Sequence, residues 1–152
     1  MTDTVLDDAE RRAQIVQQAR EQTGIDETMI EQLVRGFYAR IRADELLGPI
    51  FAARIQDWEP HLQRMFAFWS SVVLQSGVYH GQPMRMHLPL PVDAKHFDHW
   101  LHLFEQTARE LFSEPVACYF IERAQRIARS LELGIATSQG VLLAPGERYE
   151  RA

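Results

Sequence analysis

The chain has 152 residues, enough for one domain that buries roughly two thirds of the surface its unfolded form exposes. With 46% hydrophobic and 24% charged residues it has ordinary soluble globular composition, and no apolar run reaches the roughly 18 residues of a membrane-spanning helix. A net charge of −5, with Lys95 as the one lysine, excludes a nucleic-acid binder that works by neutralising phosphates.

The start of the chain, MTDTVLDDAERR, is acidic and polar where a signal peptide is basic and then apolar, so a cytoplasmic protein is expected. The single Cys118 excludes an internal disulfide and a paired-cysteine metal knuckle; it reads as a small buried residue in a helix.

Apolar residues recur at helical spacing and no segment alternates as a strand does, so the fold class is all-α. Residues 7–22 form a polar helix with a weak apolar line, Ala9, Ala13 and Val16, expected on the surface or frayed. Asp26 caps the next helix, with Ile25 and Ile30 placed as a hydrophobic staple and Ile30, Leu33, Phe37 and Ile41 inward beside Val34 and Tyr38. Gly48-Pro49 ends the short segment that follows and turns Ile50 and Phe51 inward.

A third helix starts after Asp57, with Pro60 tolerated in its first turn. Its apolar stripe includes Trp58, Leu62, Met65, Phe66, Trp69 and Val73, and His61 lies in line with Met65, Phe68 and Val72. After Gly77 come some fifteen residues dense in proline and glycine, too long for an ordinary helix connection, and they contain His87. Asp93 caps a helix carrying Phe97, Trp100, Leu101, Phe104 and Ala108 inward, and Ser113-Glu114-Pro115 opens a last one with Phe120, Ile121, Ala124, Ala128 and Leu131. Gly134 is its expected stop, and the tail 135–152 is expected to be flexible.

Tyr38, His61 and Trp100 put hydrogen-bonding groups on the apolar faces of three separate helices. Each alone reads as a satisfied core residue. Together, facing a loop histidine and walled by Phe and Met, they suit a haem: the macrocycle needs apolar walls, the iron an axial nitrogen, and a ligand on the other face a donor. A plain helical bundle, or a zinc protein using His96 and His99 at i, i+3, remain open at this point.

The stretches FYARIRADELLGPIF (37–51), WEPHLQRMFAFWSSVVL (58–74), YHGQPMRMHLPLP (79–91) and HFDHWLHLF (96–104) occur in order at suitable spacing. By them the chain from Asp26 to Gly134 resembles the truncated haemoglobins, most closely their third group. The resemblance implies a globin-like two-over-two helical sandwich over residues 26–134, with an extra N-terminal helix in the extension 1–25. It also implies haem b held by His87 as the iron ligand, Phe51 on the haem face, and Met65 and Phe97 along its walls. Tyr79 and Arg85 are placed to reach the propionates, Arg because its fork fits carboxylates. Tyr38, His61 and Trp100 match the distal residues that meet a bound ligand. His96 opens the helix of Trp100 and caps it or sits at the haem edge, while His99 and His102 read as solvated.

The function so implied is binding of O2 and related diatomics, NO and CO among them, at iron. Nitric oxide oxidation or peroxide activation is its redox extension, with electrons from an unidentified reductase. A haem sensor or scavenger without turnover is the alternative. Neither a nucleic acid nor a membrane is expected as a partner.

Overall fold

The computed structural model describes residues 5–152; the first four residues of the N-terminal extension lie outside it. The described residues form seven helices and no strand: α1 (Asp8–Thr23), α2 (Glu27–Ala43), α3 (Gly48–Ala52), α4 (Trp58–Leu74), α5 (Pro83–His87), α6 (Ala94–Leu111) and α7 (Glu114–Ser138). Helix α2 packs on α4 and α6 on α7, and an α2–α6 contact joins the pairs into the two-over-two arrangement.

Caps set where the helices begin. Asp7 and Glu10 close a reciprocal box on α1, each side chain accepting the other's amide. Asp26 accepts from the Met29 amide to start α2. Pro49, Pro83 and Pro115 stand in first turns of α3, α5 and α7, where a missing N–H leaves no intrahelical bond unmade.

The buried side chains fall into two clusters. The larger one, with Ile30, Leu33, Phe37, Trp69, Phe104 and Phe120, lies between the helix pairs. Phe37, Phe104 and Phe120 are fully buried, each contributing about 1.5–3 kcal/mol by removal from water. The smaller one holds Val92, Phe97, Leu131, Ile135 and Tyr149, with Met84 and Leu88 packed against it. Trp100, Leu101 and Ile127 flank both clusters and form the seam between them.

Helix α1 lies on the surface, as its weak apolar line suggests, and is tied down there. Ala19 is buried, and Arg12 donates to the Gln75 carbonyl at 2.8 Å, holding α1 against the end of α4. Gln75 caps α4 in the left-handed region at φ 56°, a conformation that costs a non-glycine residue about 1–2 kcal/mol. The Arg12 bond to its carbonyl offsets part of that.

The end of the chain differs most from expectation. Helix α7 runs through Gly134 to Ser138, because Gly134 is a contact point and not a stop: a side chain there would collide with the Met84 sulfur of α5. Beyond it the tail folds back onto α6 and α7. Tyr149 is 3% exposed, and Arg148 binds Glu132 through two bonds, Nε to Oε2 at 2.9 Å and Nη2 to Oε1 at 2.7 Å. Glu132 is itself buried, so the fork of Arg148 meets both oxygens of a carboxylate held away from water. Cys118 also departs from the reading as a core residue. Ala117 takes the buried position, and the half-exposed Cys118 thiol lies 3.4 Å from Glu114.

Arg148→Ala should lower stability by about 2 kcal/mol, the size of a charge-assisted hydrogen bond lost at a buried carboxylate. Adding Glu132→Gln should recover part of the loss, as read from urea unfolding midpoints.

Candidate functional site

The polar residues picked from the sequence converge on the larger cluster. Helix α2 buries Tyr38 because it follows Phe37 on the inward face; Tyr38 is 7% exposed. Its ring meets His61 of α4 edge-on at 5.2 Å and lies 6.0 Å from both Phe51 of α3 and Trp58 of α4. Burial alone pushes the Tyr38 phenol well above its ordinary range, so it remains a neutral donor at any physiological pH. Trp100 of α6 meets Phe37 edge-on at 5.2 Å and stacks on Phe104 at 5.5 Å. Tyr38, Phe51, His61 and Trp100 thus come from four helices to one region, with half-buried Met65 against the same cluster.

His61 is the anomalous member. Its Nε2 is buried and has no hydrogen-bond partner. Burial, then repulsion from Arg64 and from His87, lowers the imidazole from 6.5 to about 4. A buried ring nitrogen without a partner is costly, and here it points to a ligand the protein atoms alone do not supply.

His87 ends α5 and is half-buried, and its Nδ1 lies 2.6 Å from the Pro83 carbonyl. A carbonyl oxygen can only accept, so Nδ1 carries the proton and the Nε2 lone pair is left for a metal. Sequence reading left this second partner open. The signal was present: Pro83 stands four residues before His87, one helical turn away, at the start of the turn that presents it.

The other site candidates spread further. Tyr79 is half-buried and edge-on to Phe68 at 5.2 Å, over Gly81, where any side chain would collide with its ring. Arg85 is exposed, and Phe97 is buried in the smaller cluster. The rival histidines are committed elsewhere. His96 Nδ1 accepts from the Asp93 amide at 3.0 Å, capping α6. His99 is not simply solvated: its Nε2 lies 2.5 Å from Asp44 Oδ1, tying α6 to the corner between α2 and α3. With the two rings bound to separate partners, the zinc reading of His96 and His99 has no shared site. His102 is exposed, as expected.

A free imidazole nitrogen on His87, together with the donors of Tyr38, His61 and Trp100 among aromatic and apolar side chains, fits a haem in its donor set. The orphaned His61 Nε2 is the group such an occupant and its ligand would satisfy.

Comparison with known proteins agrees. The family model for bacterial-like globins matches residues 18–127. The Group 3 truncated hemoglobin ctb of Campylobacter jejuni is 36% identical over 109 residues, covering 68% of this chain and 86% of that protein. The crystal structure of a group III truncated hemoglobin from Campylobacter jejuni aligns with a TM-score of 0.67 at 34% identity, over 71% of this chain and 89% of that one. The truncated oxygen-avid haemoglobin from Bacillus subtilis shares the fold, with a TM-score of 0.62 at 24% identity over 74% and 97% of the two chains. Helices in this order, closed two over two around such a seam and matched over most of their length, make the chain a member of the bacterial-like globin family, a truncated haemoglobin of the third group.

Proposed function

We propose that the protein holds haem b through His87 Nε2 and retains a diatomic ligand, O2 first among them, against Tyr38, Trp100 and His61. Binding of a small ligand at haem comes with the family. The assignment of residues rests on one observation above the others: the bond to Pro83 leaves the Nε2 lone pair of His87 free to bind a metal.

When bound, the haem supplies an iron that takes a diatomic ligand and exchanges single electrons. The rest is done by the chain. The Pro83 carbonyl fixes the His87 tautomer and raises its donor strength by accepting its Nδ1 proton. Phe51, Met65 and Phe97 would wall the haem with apolar surface, and Tyr79 with Arg85 would hold its propionate carboxylates. The Tyr38 hydroxyl and the Trp100 indole would donate to a ligand oxygen that carries negative charge, while neutral His61 would donate or gate.

If each donor contributes about 0.5–1.5 kcal/mol net, two acting together slow ligand escape roughly tenfold to a hundredfold. That favours retention and chemistry on the ligand, nitric oxide oxidation or peroxide activation, with electrons arriving from a separate reductase. Repeated nitric oxide consumption by the reduced protein in oxygenated buffer with an electron donor separates turnover from sensing or scavenging.

His87→Ala should abolish the normal axial ligation, read from the Soret and visible bands of the ferrous protein; an unaltered spectrum would remove His87 from the iron. Tyr38→Phe and Trp100→Phe should each raise the oxygen dissociation rate by about threefold to tenfold, and together by more. Stopped-flow traces unchanged in both would place those donors away from the ligand.

His61 gives a pH prediction. Its folded value near 4 lies below its ordinary 6.5, so between those values the unfolded chain takes up a proton that the folded one refuses. Stability therefore rises with pH across that window and this contribution is constant above it. Urea midpoints at about pH 4.5 and about pH 6.5 should differ less in His61→Leu than in the parent.

A further inference from the structure

We infer that the C-terminal strap, residues 148–151, positions the segment that carries His87. Four observations connect the two. Ala94 is the first residue of α6, and its amide, which no residue of its own helix can satisfy, donates to the Tyr149 carbonyl at 2.8 Å. The Arg151 amide donates to Asp93 Oδ2 at 3.0 Å, at the cap of the same helix. Upstream, the Leu90 amide donates to the His87 carbonyl and the Val92 amide to the Leu90 carbonyl, both at 3.0 Å, so a chain of backbone bonds runs from the strap to His87. Last, the Tyr149 ring is buried in the cluster that also takes Val92 and against which Met84 and Leu88, on either side of His87, are packed.

Arg148 is the anchor. Its fork on Glu132, with a further bond to Asp98 Oδ1 at 2.8 Å, fixes the strap to α7 and α6 together. Only five residues, 88–92, separate His87 from Asp93. So short a connection passes displacement at the helix cap on to the histidine and does not absorb it. Tyr149 and Arg151 are thus positioning residues: they touch neither ligand nor haem, and they act through the segment 88–94. The consequence at iron rests on the reading of His87 as its ligand; the mechanical link does not.

The test uses the full-length protein as purified. Tyr149→Ala removes the ring from the small cluster. Arg151→Pro removes the amide that binds Asp93 without touching the core, and serves alone should Tyr149→Ala not fold. Tyr149→Phe is the conservative control. Hydrogen exchange of the amides in 88–94, which are those of Leu88, Leu90, Val92, Asp93 and Ala94, should speed up by about fivefold or more in the first two, the effect of losing one net hydrogen bond. The iron–histidine stretching band of the ferrous protein should shift in the same two variants, and Tyr149→Phe should match the parent in both readouts. A variant that is merely less stable would exchange faster throughout and keep the band, which overturns the inference, as does parental exchange over 88–94. If the parent protein lacks that band, the reading of His87 fails, and exchange localised to 88–94 still decides for or against the strap.

Discussion

The edge-on contacts of Phe37 with Trp100 and Phe104, at 5.2 and 5.3 Å, hold the two helix pairs together. Burial of apolar area is non-directional and does not by itself set the spacing between the pairs. Aromatic rings solve this because they are large, rigid and prefer edge contacts that set a spacing. Trp69, stacked on Phe104 at 5.2 Å, extends the column away from the seam, and Phe120 continues it to α7. With α2 so pinned to α6, Tyr38 is directed at α4, where His61 stands.

Polar groups within such a frame need partners, and the two imidazoles differ in that respect. His87 has its Nδ1 satisfied by Pro83, so its remaining nitrogen is left with a defined lone pair. His61 has a buried nitrogen with no partner and a depressed proton affinity, a condition worth keeping only where something else arrives to meet it. The Asp44–His99 pair shows the opposite solution on the outer side of α6. Although burial works against it, His99 and the amides of Leu47 and Leu46 hold the Asp44 carboxyl below its ordinary range, and the corner before Phe51 is braced as a result.

The helices and the inward faces could be read from spacing because their burial follows a period of 3.6 residues: Ile30, Leu33, Phe37 and Ile41 all lie inside. The convergence of Tyr38, His61 and Trp100 was legible for the same reason, since polar side chains on apolar faces have few other places to go. Non-periodic contacts were not legible. Gly134 carries the ordinary signal of a helix end, yet its lack of a side chain serves Met84 of α5, fifty residues away in sequence. Nothing in GVLLAPGERYERA has a period, so its docking had no signature beyond one aromatic residue, Tyr149, in a polar tail.

The tail and α1 solve related problems at opposite ends of the chain. Each brings an arginine to a group that its own helix or turn leaves unmet: Arg12 to the carbonyl of Gln75, Arg148 to the carboxylate of Glu132. The difference is in depth. Gln75 is exposed, so its bond to Arg12 replaces one that water could make, and its net contribution is small. Glu132 is buried, so without Arg148 its carboxylate would lack a charged partner where water does not replace it. The tail is therefore more strongly coupled to folding than α1, and its bonds at Asp93 and Ala94 end closest along the chain to the histidine on which the proposed function depends.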